Sequence, residues 1–241
     1  MKNIIKKFYV VVMLFMVIIS LSACNTNNST INTSNTNNSS MNAKAFESSK
    51  QVYTNLSQSY EIIERYSSDI YNAWYEGIYN SKKCNVSYLA TKTSLTASEL
   101  YLGVSYFCIA YDGKVWETSS EEERKKYQSD TYFSIMKYAY DDSIFNACVN
   151  LISCAYKANG IENEIDTKLA SARTNLKEVS NINPNYENYA TLKKLYAKVN
   201  SFYGFCSSPT GSFEQLVTTI NNYKNECRDL FDELKFTFDE I

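Results

Sequence analysis

The sequence predicts an all-α fold: an elongated antiparallel bundle of about six helices, preceded by a leader segment and a disordered tether. Three observations carry this expectation. Gly (6) and Pro (2) are scarce in 241 residues, and chains dense in tight turns need those residues at special backbone angles. Apolar residues recur at three-four spacing through long segments, the stripe a helix buries. No alternating apolar-polar run flanks a hairpin turn, so no strand pattern competes. With 44% hydrophobic and 21% charged residues, the balance is globular. The roughly 195 residues beyond position 45 suffice for one domain with a sizeable core.

The first residues are read as an address. Lys2, Lys6 and Lys7 form a positive front end, and Phe8 to Ile19 is an apolar run. That run is shorter than the about 20 residues a membrane-spanning helix needs. It leads into Leu21-Ser22-Ala23-Cys24. This resembles the lipobox of bacterial lipoproteins at all four positions. The resemblance implies a signal peptide over 1–23, cleavage before Cys24 and acylation of the Cys24 thiol. It also implies membrane lipid as a partner and a location on the extracytoplasmic face of the cell membrane. Each buried CH₂ contributes about 0.8 kcal/mol, so two chains anchor where one would bind reversibly. Asn25 to Ala45 is nearly all Asn, Ser and Thr. Such composition cannot bury a face and reads as a tether with an average span of ~25 Å. Residues 24–45 are thus the lipidated Cys and tether, and 46–241 the bundle.

The first helix is expected over Glu47–Asn80, with Tyr53, Leu56, Tyr60, Ile63, Ile70 and Trp74 in period; Ser67 and Gly77 weaken the stripe. The second lies within Val86–Tyr111, its stripe Leu100, Val104, Phe107, Cys108 and Tyr111, and Asp112-Gly113 forms a turn. Ser120 with Glu123 makes a capping box. The third helix runs from there to Ala158 with Tyr138, Phe145, Cys148, Ile152 and Ala155 in period, unless it breaks near Asp141-Asp142. Asn159-Gly160 stops it. The fourth, Ile161–Val179, carries Ile165, Leu169, Ala172, Leu176 and Val179. Pro184 separates it from a fifth at Tyr186–Cys206, with Leu192, Leu195, Val199 and Phe202 inward. Ser207–Gly211 is the clearest loop. Ser212 and Gln215 form a second capping box for a sixth helix bearing Phe213, Leu216, Ile220, Tyr223, Cys227, Leu230, Leu234 and Phe238. Short connections make sequential helices antiparallel neighbours.

The phrases Asn-Pro-Asn-Tyr (183–186), Leu-Tyr-Ala-Lys-Val-Asn-Ser-Phe-Tyr (195–203) and Ser-Pro-Thr-Gly-Ser-Phe (208–213) resemble those of small helical lipoproteins of low-GC Gram-positive bacteria. The resemblance covers about a third of the chain. It implies export and helix, and no particular activity.

Chemistry is thinly written. The chain has no His, which excludes a Ser-His-Asp triad, a Cys-His pair and His-based zinc sites. No Cys-x-x-Cys, phosphate-binding Gly-rich loop or EF-hand loop occurs. No catalytic residue, cofactor or metal is therefore expected. The carboxylate pairs Asp141-Asp142 and Asp239-Glu240 and the run Glu121–Lys126 read as solvated helix faces. Without the three leader lysines, 21 basic residues stand against 26 acidic ones. That surface is a poor match for nucleic acid. Six cysteines follow Cys24. Cys148 and Cys154 lie about 240° apart around a helix and cannot meet there. Cys206 and Cys227 occupy different levels of their hairpin. Mainly free thiols are expected, with non-sequential pairs left open. Trp74, Trp116 and the 21 Tyr are read as half-buried bundle residues before they are read as a binding surface.

The expectation for function is a non-enzymatic binding module at the cell envelope, one form of it protective, whose partner is an envelope protein or wall component. The Ser207–Gly211 loop is one candidate contact. Two alternatives are a carrier or sensor holding an apolar small ligand between helices, and an enzyme working without histidine.

Overall fold

The computed structural model describes residues 33–141 and 143–238. The chain divides into two compact units, 1–38 and 39–241; of the first, only the backbone at 33–38 is described. The leader, the lipobox with Cys24, Asp142 and Asp239-Glu240 lie outside the described residues. Among the described residues there is no strand, and nine α-helices form a packed bundle. They are α1 (Thr33–Tyr79), α2 (Val86–Ala90), α3 (Ala97–Tyr111), α4 (Glu121–Lys126), α5 (Asp130–Ala139), α6 (Ile144–Ala158), α7 (Ile161–Ile182), α8 (Tyr189–Ser207) and α9 (Phe213–Phe238).

The all-α class holds, and the finer expectations fail in three places. Helix α1 enters the stretch whose composition suggests a tether, and Ala45 is fully buried in a small cluster with Val179 and Tyr186. Asn183 donates to the Asn42 side chain at 2.8 Å. Asn42, Ala45 and Phe46 find partners that local composition does not reveal. The expected second helix is two helices. Asn85 caps α2, and Thr96 with Glu99 forms a complete capping box for α3. That signal is in the sequence as Thr-x-x-Glu. The expected third helix is three. Ser120 and Glu123 do cap α4 reciprocally, both at 3.1 Å, but the helix ends at Lys126. The break allowed for at Asp141 does fall there, after α5, where that residue takes a left-handed φ of 53°. An L residue adopts that conformation reluctantly, and Asp is among the types that tolerate it best.

These breaks reset the register. Tyr138 and Tyr111, both expected inside, are 72% and 65% exposed. Phe133 and Met136 serve α5 instead. On α7 and α8 every expected core position is buried. On α9, Leu216, Ile220, Cys227, Leu234 and Phe238 are buried, whereas Phe213, Tyr223 and Leu230 are half-buried.

Helix α1 is a spine against which α6, α7 and α9 are laid. Near its middle Tyr53 meets Phe238, and further along Tyr60 meets Phe231 and Tyr71 meets Phe213. Helix α9 therefore runs antiparallel to it. Helix α7 does the same, with Lys168 on Gln58 and Glu162 on Tyr66. Helix α6 continues the series, with Tyr156 on Tyr66 and Phe145 on Trp74. So α6 and α7 run the same way along α1, joined at Gly160, whose φ of 73° an L side chain rarely adopts. The short link at this one junction turns the chain without reversing it.

Gly77 and Ser67, which weaken the apolar stripe on paper, are close-packing positions. A Cβ at Gly77 would stand 2.5 Å from the Phe145 backbone, so glycine is what lets α6 start against α1. Ser67 is fully buried and returns its hydroxyl to the Glu64 carbonyl at 2.7 Å. Ser212 accepts from the Gln215 N–H at 3.2 Å, and Gln215 accepts from the Ser212 N–H at 2.8 Å. Replacing Ser212 by Ala is expected to lower stability by about 1 kcal/mol. Chemical denaturation of the variant checks this, and an unchanged midpoint contradicts it.

Candidate functional site

Two features stand out from the packing: a buried polar joint and an exposed aromatic ridge. The joint lies beside the last third of α1. Asp69 is almost fully buried and accepts from the Ser94 N–H at 2.7 Å, the Ser94 hydroxyl at 2.6 Å and the Tyr156 hydroxyl at 2.9 Å. The Tyr156 ring stacks on Tyr66, with centroids 3.9 Å apart and 11° between planes. Tyr66 in turn donates to Glu162 at 3.0 Å and lies 2.9 Å from the Ser153 hydroxyl. Burial raises the Asp69 and Glu162 carboxyls above their usual range, while the hydrogen bonds from Ser94, Tyr156 and Tyr66 pull the other way. Further along α1, Glu76 accepts from Asn80 at 2.6 Å and from the Tyr88 hydroxyl at 2.8 Å.

Asp69 and Glu76 are buried acids that the sequence reading missed. The signal was available: they stand seven apart, so they share a helix face, and that face also carries Ile70, Ala73 and Trp74. Their oxygens are occupied by residues that anchor the 84–96 segment and α6 to α1. Buried carboxylates satisfied this way organise packing.

The ridge is on the opposite kind of surface. Tyr71, Tyr75 and Tyr79 follow one another at four-residue spacing on α1, exposed by 37%, 39% and 62%. Tyr75 packs on Tyr79 at 4.7 Å and Tyr71 on Phe213 at 5.4 Å. Phe213 opens α9 and touches all three tyrosines. Ile78, also exposed, extends the patch. Beside it, between α1 and α9, runs an open groove of about 440 Å³. Its walls are Ser67, Ser68, Tyr71 and Asn72 on one side and Val217, Ile220, Asn221 and Lys224 on the other. The Lys224 ammonium stands 3.4 Å from the Ser68 hydroxyl and 3.7 Å from Glu64, which holds it along the wall. Tyr71 belongs to both groove and ridge. Rigid tyrosines bordered by Ser and Asn combine a large amphipathic contact with adaptable hydrogen bonding, the composition of protein-recognition surfaces.

The residues singled out in the sequence fall as follows. The Ser207–Gly211 loop ends at Gly211 with φ 100° and leads through the Ser212 cap into Phe213, so it borders the ridge. Trp74 is in the core against Phe145. Trp116 is covered by the Arg124 guanidinium at 4.2 Å. Neither tryptophan joins the ridge. The Glu121–Lys126 run forms α4, with exposed pairs Lys125–Glu121 and Lys114–Glu123. All six described cysteines are free thiols, and Cys108, Cys148 and Cys227 are buried on their stripes as expected. Among the described residues no helix is long and apolar enough to cross a membrane.

Fold and site together define a helical-bundle protein with a buried polar joint and an exposed aromatic face. Comparison with protein-family models, curated proteins and solved structures found no match for the chain.

Proposed function

We propose that this protein is a lipid-anchored binding module of the cell envelope that holds a partner protein on its α1–α9 aromatic face. The observation that carries the reading is the Tyr71–Tyr75–Tyr79–Phe213 ridge, exposed beside a groove lined with hydroxyls and amides. Tyrosines of this kind are where interfaces concentrate binding energy. The address is the Leu21–Cys24 motif. Acylation at Cys24 confines the domain near the lipid, which raises its effective concentration toward membrane-bound partners and lets a modest interface suffice.

The test is crosslinking in intact cells, followed by identification of what is captured. Replacing both Tyr75 and Tyr79 by Ser is expected to remove the partner from the crosslinked product, while helix content and the unfolding midpoint stay unchanged. Each tyrosine that acts as an anchor contributes about 2 kcal/mol or more to such an interface. In parallel, Cys24→Ala should abolish incorporation of labelled fatty acid and leave the precursor uncleaved. A partner captured equally by the double variant overturns the assignment of the face. Capture of wall glycan with the same tyrosine dependence replaces a protein partner with a polysaccharide one.

A further inference from the structure

Two cysteines that the sequence keeps far apart are brought together by the fold. Cys84 ends the short turn after α1, and Cys148 lies one turn into α6, 64 positions later. Their sulfurs are 2.8 Å apart. That is closer than the about 3.5–4.0 Å at which non-bonded carbon atoms rest. It exceeds a disulfide bond of about 2.05 Å by roughly 0.75 Å. Both side chains are buried, Cys148 completely. We propose that Cys84 and Cys148 are a dithiol site that closes to a single intramolecular disulfide, in exchange with a low-molecular-weight disulfide such as cystine or oxidised glutathione.

The two cysteines have different roles in that exchange. Cys84 is held below the usual thiol range, chiefly by the hydrogen bond from the Cys148 thiol and then by the nearby Lys137 charge, against the opposing effects of burial and Glu76. Cys148 is pushed up by the same hydrogen bond and by burial. Burial also raises Cys108 to about 11, Cys154 to about 12 and Cys227 to about 12, and it raises Cys206. Cys84 also keeps a trace of exposed surface where Cys148 keeps none, so Cys84 is the sulfur of the pair that an external disulfide reaches. It attacks one sulfur of the external disulfide, forming a mixed disulfide and expelling one thiolate. Cys148 then gives up its proton and attacks the Cys84 sulfur, forming the Cys84–Cys148 bond and expelling the second thiolate. The protein loses two protons and two electrons; the small disulfide gains both and leaves as two thiols. A metal pair is the competing use. Zinc asks for about four ligands, and among the described residues no group of three His, Cys, Asp or Glu is placed to hold an ion. Closure would tie the 84–96 segment to the first turn of α6, beside the Glu76 anchor.

The inference is independent of the aromatic face, so its failure and that of the proposed function are separable. The test uses the full chain, incubated with oxidised glutathione, denatured, alkylated without reduction and digested. The expected product is one crosslinked peptide pair, Cys84 with Cys148, and a mass about 2 Da lower than the reduced protein. Cys108, Cys154, Cys206 and Cys227 should be alkylated. In Cys148→Ser, Cys84 should be trapped as its mixed disulfide with glutathione; in Cys84→Ser, Cys148 should carry none. Recovery of both cysteines as alkylated thiols overturns the proposal, and so does a link from Cys84 to another cysteine. If Cys148→Ser does not fold, peptide mapping of the wild-type protein decides alone.

Discussion

Replacing Phe202 by Ala is expected to destabilise the domain by about 3–5 kcal/mol, the range for deleting a buried aromatic ring. Phe202 is fully buried on α8. Its ring stacks on Tyr223 of α9 at 5.3 Å and meets Tyr60 of α1 at 6.4 Å. Three helices therefore lose a shared contact, and none is free to collapse into the space without disturbing the other two. Urea unfolding should show a lower midpoint with an unchanged slope, because the surface exposed on unfolding is nearly the same. Leu230→Ala is the internal comparison. Leu230 is half-buried, so its loss should fall below about 2 kcal/mol, since less of its surface leaves water on folding. A loss for Phe202→Ala no larger than that for Leu230→Ala would contradict the described packing of α8.

Asp69→Ala is expected to cost about 3 kcal/mol. It leaves the Tyr156 hydroxyl, fully buried, without its acceptor and frees Ser94 from α1. An unsatisfied buried polar group costs about 1–3 kcal/mol, and the anchoring bonds are lost in addition. Asp69→Asn keeps the shape and leaves an acceptor for the Ser94 N–H, so it should be much milder. The pair also carries a pH signature. Burial raises the folded carboxyl above its ordinary value. The folded state then holds the proton more tightly than the unfolded one, so this group favours folding when protonated. That contribution is complete below the ordinary Asp value of about 3.9 and is lost as pH rises through the raised folded value. On acidification from neutral pH, the wild type should gain stability relative to Asp69→Asn, even as other carboxylates shift both proteins together. A relative loss on acidification would show that hydrogen bonding to the charged form outweighs burial.

Where a helix stands alone in its register, its core face was legible in the sequence. The stripes of α7 and α8 needed only the three-four period, and every position named on them is buried. The caps at Ser120 and Ser212 were legible because they are local, with the partners three residues apart. The region between Val86 and Ala158 was misread at 91–96 and 127–129, where the breaks carry no Gly or Pro. A Thr cap at 96 and a Tyr at 127 each interrupt a period that continues on paper, and Tyr111 and Tyr138 were misplaced as a result, whereas the break at Asp141 was allowed for. Half of the candidate face was legible as well. The Ser207–Gly211 loop is marked by its Pro and Gly, but nothing local says that it delivers Phe213 to three tyrosines on a helix more than a hundred residues earlier.

The sequence by itself determined the class of the fold and the inward faces of α7 and α8, because each depends on neighbours within a turn or two of chain. The same locality makes the Leu21–Cys24 motif, on which the proposed anchoring rests, readable without a structure. Only the tertiary structure decided that α6 and α7 run the same way along α1, that Asp69 and Glu76 are buried anchors, and that Cys84 lies 2.8 Å from Cys148. Those outcomes depend on which distant segment fills the space beside α1. That choice is made by complementary volume and by the need of buried polar groups for partners, quantities that no local period or motif encodes.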